Sequence, residues 1–301
     1  MKQVNILLST YNGEKFIKEQ LRSLLEQEGV RVNILVRDDG SSDHTQQILQ
    51  EYQDKGLLEW YGGPNITTAY SFLNLMHRAS ESEYYAFCDQ DDFWLKDKLQ
   101  IAVEQLEQYP HDRPALYYGR ARLVDQDLQP IKDSGTSSDK MLDFKSAVIN
   151  SNATGCTMVF NKALLRIVKE KNPSYIAMHD GWIHKICIIM KGNIFYDEDV
   201  HILYRQHGGN VIGSSNSKWR RIKNHYASFK KRECIRSRTI CSLLECYGDV
   251  MGREEYETCK LIADYKKSFA NQLKILFSKD IRTDYFRRNM LFRMAIILRI
   301  F

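Results

Sequence analysis

The chain has 301 residues, enough for one large or two modest domains around a sizeable buried core. Its composition, 43% hydrophobic and 27% charged with 16 glycines and 5 prolines, excludes a disordered or fibrous chain. The net charge of +5 is unevenly divided: residues 218–301 carry 20 Lys+Arg against 9 Asp+Glu, a net +11, so residues 1–217 carry 23 against 29, a net −6.

Residues 1–10 hold one lysine and a short apolar run that leads straight into a strand, which is not a secretory signal pattern, so a cytoplasmic location is expected. The first 120 residues then alternate short β-branched or apolar runs with longer amphipathic stretches. Strands are predicted at 4–8, 32–36, 57–61, 84–88 and 115–118, and helices at 14–27, 45–53, 69–79 and 96–108. That order predicts βαβ units on a parallel sheet. In such sheets ligands bind beyond the carboxyl ends of the strands. The residues there are Ser9-Thr10-Tyr11-Asn12-Gly13, Asp38-Asp39-Gly40-Ser41-Ser42-Asp43 and Asp89-Gln90-Asp91-Asp92, three polar loops that should converge on one edge. Farther on come a polar segment at 133–140, a helical pattern at 142–149, a loop entering a strand at 152–160, and a mostly helical, charged region over 218–301.

Three carboxylates within four residues, Asp89, Asp91 and Asp92, repel one another unless a cation neutralises them. Hard oxygen ligands suit Mg²⁺ or Mn²⁺, ions that share their shell with substrate phosphates; the alternative is a solvated acidic turn. Asp38 and Asp39 lie in a stretch that could be a helix cap and turn, with Ser42 or Asp43 as the cap, yet one carboxylate is free to accept the imide N–H of uracil or thymine. His179-Asp180-Gly181-Trp182 sets an acid beside an aromatic, and Tyr204-Arg205-Gln206-His207 ends a strand-like run with a histidine; either could be structural. His77, His111 and His225 read as packing residues. The seven cysteines are scattered, without a CxxC pair, and read as reduced thiols. Neither GxGxxG after the first strand nor GxxxxGK[ST] is present, which argues against a dinucleotide-binding domain and a P-loop NTPase.

Taken together these motifs, with Trp94 and Thr154-Gly155-Cys156 in the same order, resemble the family-2 glycosyltransferases, and among them bacterial rhamnosyltransferases; the resemblance covers residues 1–213. It implies an α/β glycosyltransferase A fold: a Rossmann-like nucleotide-sugar-binding half over 1–120 and an acceptor half over 121–217, followed by a basic helical region over 218–301. It also implies an inverting, metal-dependent enzyme. By position, Thr10, Tyr11, Asp38, Asp39, Asn65, Asp89 and Gln90 fall to nucleotide binding, Asp91 and His207 to Mg²⁺ or Mn²⁺, and Asp180 to the general base. Asp92, Trp94, Thr154, Gly155, His179, Trp182 and Arg205 fall to acceptor or donor-sugar contacts. The expected donor is dTDP-L-rhamnose, with UDP-sugars as the alternative, and the expected acceptor is a saccharide, free or lipid-linked, in cell-surface polysaccharide synthesis. The chain departs from the family pattern at Ile66-Thr67-Thr68, where a glycine usually follows the asparagine, and at Gly181, where an aromatic is common.

A sugar-phosphate nucleotidyltransferase would also use such a sheet with carboxylates and Mg²⁺, but residues 7–11 lack the Gly-rich phosphate loop it starts with. A non-enzymatic module with a nucleic-acid-binding tail is the other alternative, although no nucleic-acid partner is expected. No stretch approaches the ~20 apolar residues that span a bilayer; even 291–301 is broken by Arg293 and Arg299. Residues 285–299 interleave Tyr285, Phe286, Leu291, Phe292, Ile296 and Ile297 with arginines. That suits either a helix lying on the anionic inner face of a plasma membrane or one packed on the acidic body.

Overall fold

The computed structural model describes residues 1–133, 143–149, 151, 153–207, 234–283 and 285–301. Its first half is β1 (Lys2–Thr10), α1 (Ile17–Leu25), β2 (Val30–Asp38), α2 (Thr45–Asp54), β3 (Glu59–Gly62), α3 (Thr68–Arg78) and β4 (Tyr84–Asp89). These four strands pair in parallel in the order β3-β2-β1-β4, as the alternating pattern predicts. Both sheet faces are covered, so Val4, Ile6 and Leu8 enter one apolar cluster while Leu7, Tyr85 and Phe87 enter the other.

After β4 the sheet becomes mixed. β5 (Phe93–Trp94) and α4 (Lys98–Leu106) lead to β6 (Ala115–Val124) and β7 (Pro130–Asp133). The strand expected at 115–118 forms but does not pair with β4. β8 (Val159–Asn161) lies between them, antiparallel to both, and all three of its residues are buried. β9 (Asn193–Arg205) runs parallel to β6 and antiparallel to β5, carrying its carboxyl end to the edge where β1, β2 and β4 end. α5 (Phe144–Ile149), α6 (Lys162–Lys169) and α7 (His179–Ile189) cover one face.

The C-terminal region is helical: α8 (Ile235–Tyr247), α9 (Arg253–Ala263), α10 (Phe269–Leu276) and α11 (Phe286–Ile297). It shares its core with the body, because Leu243, Tyr247, Ile262, Ile275 and Phe292 belong to the same apolar cluster as Trp182, Ile183 and Phe87. The expected boundary at 217 and the polar segment beyond Asp133 lie outside the described residues.

Candidate active site

Strand register builds the edge. Thr10 pairs with Asp38 across β1–β2, Asp38 with Gly62 across β2–β3, and Ser9 with Asp89 across β1–β4, so the three polar loops start side by side. Hydrogen bonds then lock them together. Gln90 Oε1 accepts from Thr10 Oγ1 at 2.6 Å and from the Tyr11 N–H at 2.8 Å, and Ser41 Oγ accepts the Asn12 N–H at 2.8 Å. A Cβ at Gly13 would lie 2.4 Å from Gln90 Oε1 and 2.9 Å from Thr10 Oγ1, so the side chains that lock the loops would have to shift. Tyr11 is left 47% exposed beside this frame.

The two adjacent aspartates on β2 divide their roles. Asp38 turns inward and accepts the N–H groups of Gly40 and Ser41, the Ser41 hydroxyl and the Gln46 amide. It shapes the turn, whereas Asp39 is paired with the buried Arg37 guanidinium. Arg37 also donates to Pro64 O at 3.0 Å, tying Asp39 to the loop that holds Asn65. Asn65 Oδ1 accepts the Thr67 N–H at 3.1 Å, and Thr67 takes a φ of 72° just before α3, at the place where the sequence departs from the family pattern. The cap of α2 expected from Ser42 or Asp43 sits one residue later, at His44; Asp43 still accepts the Thr45 N–H at 3.0 Å.

The carboxylates after β4 crowd as expected. Burial, then the charges of Asp91 and Asp180, pushes the Asp89 pKa up to about 7. Asp92 is fully buried and also shifted upward, by burial first and by Asp91 and Asp89 next. Asp91 Oδ2 lies 2.6 Å from His207 Nε2, so the histidine after β9 meets the second aspartate of the acidic run. One oxygen from each of Asp89 and Asp92 and the Cys156 sulfur lie within 4.8 Å of one another. By donor type alone Asp89, Asp91 and His207 suit Mg²⁺ or Mn²⁺ better than this inner group, although among the described residues it is the inner group whose ligand atoms gather. The inner thiol is buried, with its pKa pushed well above its ordinary value, and hard cations disfavour sulfur.

His179 and Asp180 begin α7. His179 is 3% exposed, stacked on Phe72 with ring centroids 3.8 Å apart and edge-on to Phe87 at 4.7 Å; burial lowers its pKa to about 3 and keeps the ring neutral. Gly155 is pressed against it, since a Cβ there would lie 2.6 Å from His179 Nε2 and 3.5 Å from Asp180 Cβ. Asp180 is partly exposed and accepts the Gly181 N–H at 2.5 Å. Burial raises its pKa, and the buried Lys185 counters part of that rise. The helix cap is Met178, so Asp180 is a first-turn carboxylate rather than the cap.

Three of the expected sugar contacts sit elsewhere. Trp94 and Trp182 are each 1% exposed, the first under the Lys98 ammonium at 3.6 Å and the second packed towards Tyr247 of α8. Arg205 is 2% exposed: its backbone N–H donates to Asp92, while its guanidinium donates to Asp91 O, Gln126 O and Glu19. Arg205 therefore braces the acidic loop. Thr154 is exposed. Sequence reasoning passed over Arg37, Lys98, Lys185 and Phe16, whose ring lies 4.8 Å from the His207 ring. The only signal for Arg37 was a charged residue set between an apolar strand and two aspartates.

The family model for glycosyl transferase family 2 matches residues 5–166. The chain belongs to that family. It is 31% identical over 235 residues to the dTDP-rhamnosyl transferase RfbG of Shigella flexneri, a match that spans 70% of this chain and 75% of RfbG. Among solved structures, that of S. aureus TarS with UDP-GlcNAc aligns over 100% of this chain and 82% of its own, at 18% identity and a TM-score of 0.61. The mannosyltransferase PcManGT from Pyrobaculum calidifontis, solved with GDP-Man and Mn²⁺, aligns over 99% of this chain and 86% of its own, at 16% identity and a TM-score of 0.55. The fold is the glycosyltransferase A fold and the chain is a glycosyltransferase resembling rhamnosyltransferases. The nucleotidyltransferase and non-enzymatic alternatives are set aside.

Proposed function

We propose that this glycosyltransferase moves L-rhamnose from dTDP-L-rhamnose to a saccharide acceptor in bacterial cell-surface polysaccharide synthesis, with inversion and with a divalent metal. The observation that carries the reading is the approach of the start of α7 to the end of β4: His179 lies edge-on to Phe87 at 4.7 Å, and Asp180 lies against Gly155, whose neighbour Cys156 is within 4.8 Å of an Asp89 oxygen. A base and a diphosphate site thereby share one reaction space. The likeness to RfbG supports the donor, and the name of TarS, a poly(ribitol-phosphate) beta-N-acetylglucosaminyltransferase, supports a polymer acceptor.

In this reading residues 1–120 hold the donor and 121–217 the acceptor. Tyr11 stacks on the base, Asp39 accepts its imide N–H, and Thr10 and Gln90 hold the loop that carries them. Asp89, Asp91 and His207 would hold Mg²⁺ or Mn²⁺, which when bound neutralises charge on the leaving diphosphate. Asp180 takes the proton from an acceptor hydroxyl while that oxygen bonds to the anomeric carbon. The bond from that carbon to the diphosphate oxygen breaks on the opposite face, and the nucleoside diphosphate leaves with its electron pair. His179 keeps Asp180 aimed by filling the space against Gly155.

The imide N–H is common to thymine and uracil, so Asp39 favours UDP-sugars as the second reading. Incubating the protein with Mn²⁺ and dTDP-L-rhamnose, UDP-sugars or GDP-mannose and following release of the nucleoside diphosphate tests the donor. Hydrolysis of dTDP-L-rhamnose above the others is expected, and faster turnover of GDP-mannose would overturn the assignment.

A further inference from the structure

The last two helices carry apolar side chains on faces that the core does not use. On α11, Phe292, Ala295 and Ile296 are buried against the protein, while Phe286, Met290, Met294 and Ile297 are 83%, 45%, 44% and 61% exposed. At 100° per residue these four fall on one stripe opposite the buried face. They line an open groove of about 330 Å³ together with Arg282, Asn289 and Arg293. On α10 the same division recurs: Gln272 and Ile275 face inward, and Phe269 and Phe277, eight residues apart, are 72% and 79% exposed. A monomer rarely leaves an apolar stripe like that of α11 at its surface without a partner.

Charge indicates which partner. Residues 269–301 hold seven Lys+Arg against two Asp+Glu, and α11 has Arg287, Arg288 and Arg293 with no acidic residue. Arg282, Arg287 and Arg293 are exposed beside the stripe. A second copy of this chain would bring the same positive charge to the same face, whereas an anionic bilayer supplies an apolar layer under a negative surface. No described helix is long and apolar enough to cross a membrane, so the contact would lie in the interface plane.

We propose that α10 and α11 form a docking surface for anionic lipid bilayers, with Phe286, Met290, Met294 and Ile297 entering the headgroup boundary and the flanking arginines engaging lipid phosphates. The inserted set differs from the one the sequence suggests, because Phe292 and Ile296 belong to the core. The surface does not depend on the identity of the donor.

Co-sedimentation of the full chain with vesicles of phosphatidylcholine alone, or of phosphatidylcholine mixed with phosphatidylglycerol, tests this. Binding to the mixed vesicles only is expected. Each of Arg287→Gln and Arg293→Gln should lower partition about fivefold, the equivalent of ~1 kcal/mol per basic residue at an anionic surface. The double variant Phe286→Ser, Ile297→Ser should abolish binding while leaving circular dichroism and donor hydrolysis unchanged, since both side chains are exposed and neither belongs to the candidate active site. Failure of the wild-type chain to sediment with the mixed vesicles, or equal sedimentation with both kinds, would overturn the proposal. So would a dimer in sedimentation velocity that the double serine variant dissociates.

Discussion

Replacing Gly155 by alanine should cripple transfer without touching a group that does chemistry. The new methyl would lie 2.6 Å from His179 Nε2 and 3.2 Å from its Cε1, against an ordinary contact of at least 3.4 Å, so something must move by about 0.8 Å. The imidazole has no room to retreat, since it is stacked on Phe72 at 3.8 Å, edge-on to Phe87 at 4.7 Å, and buried. The overlap must be relieved by shifting the turn at 154–157 or the first turn of α7, which carries Asp180. Overpacking of this kind costs ~1–3 kcal/mol of stability, and a displacement of about 1 Å at a catalytic group costs ~10²-fold in rate. We expect the Tm to fall modestly, donor binding to persist, and transfer to drop about 100-fold. Adding His179→Ala should partly restore transfer, because the smaller side chain removes the clash; the two changes would then be strongly non-additive. A Gly155→Ala protein with wild-type Tm and transfer rate would refute the claim that this contact aims Asp180.

Asp180→Asn preserves shape and removes the proton acceptor, so transfer should fall ~10²–10⁴-fold with donor binding intact, and wild-type turnover would exclude Asp180 as the base. Asp91→Ala should abolish Mn²⁺-dependent binding of the nucleoside diphosphate in calorimetry and His207→Ala should weaken it, whereas full activity in excess chelator would remove the metal assignment. The Asp89 pKa of about 7 means that a cation must displace a proton below that pH. Mn²⁺ affinity should then rise as pH approaches 7 and level off above it, with proton release at pH 6 measured in buffers of different ionisation enthalpy; no release would count against Asp89. By linkage, the stability that the same raised pKa gives the metal-free fold is fully present below the ordinary value of 3.8 and is lost as pH rises through about 7. Thymidine and uridine diphosphates should bind and cytidine diphosphate should not, because cytosine lacks the imide N–H; equal affinity would deprive Asp39 of a base-reading role.

The nucleotide half was legible because its strands are long enough to display their pattern. β1 and β2 each run nine residues between turn-forming loops, and the polar residues that follow them stand out against apolar strands. β5 and β8 have two and three residues, too few to show any period, so the change from a parallel to a mixed sheet left no mark in the sequence. β9 was obscured differently: Asp197, Glu198 and Asp199 interrupt it, and its pairing with β6 slips beside Gly119 and Arg120. Residue type also misled where packing decides orientation. A tryptophan after an acidic loop looks like a sugar platform, yet Trp94 lies in the core under Lys98, and Arg205 spends its donors on backbone oxygens and Glu19.

Six aspartates gather at one sheet edge, and the fold separates those it uses for itself from those it leaves to a ligand. Asp38 is saturated by the turn it closes, and Asp92 accepts the Arg205 N–H. Asp89, by contrast, draws no side-chain hydrogen bond from the described residues, and its pKa rises by burial and by the charges of Asp91 and Asp180. A carboxylate left in that state is destabilised as an anion until positive charge arrives. In the proposed reaction the same crowding would favour a divalent cation, and with it the diphosphate. This is how an edge with a surplus of negative charge can recruit an anionic donor. Asp91 and Asp92 are neighbours of identical chemistry, and only the return of β9, which brings Arg205 to one and His207 to the other, gives them different work.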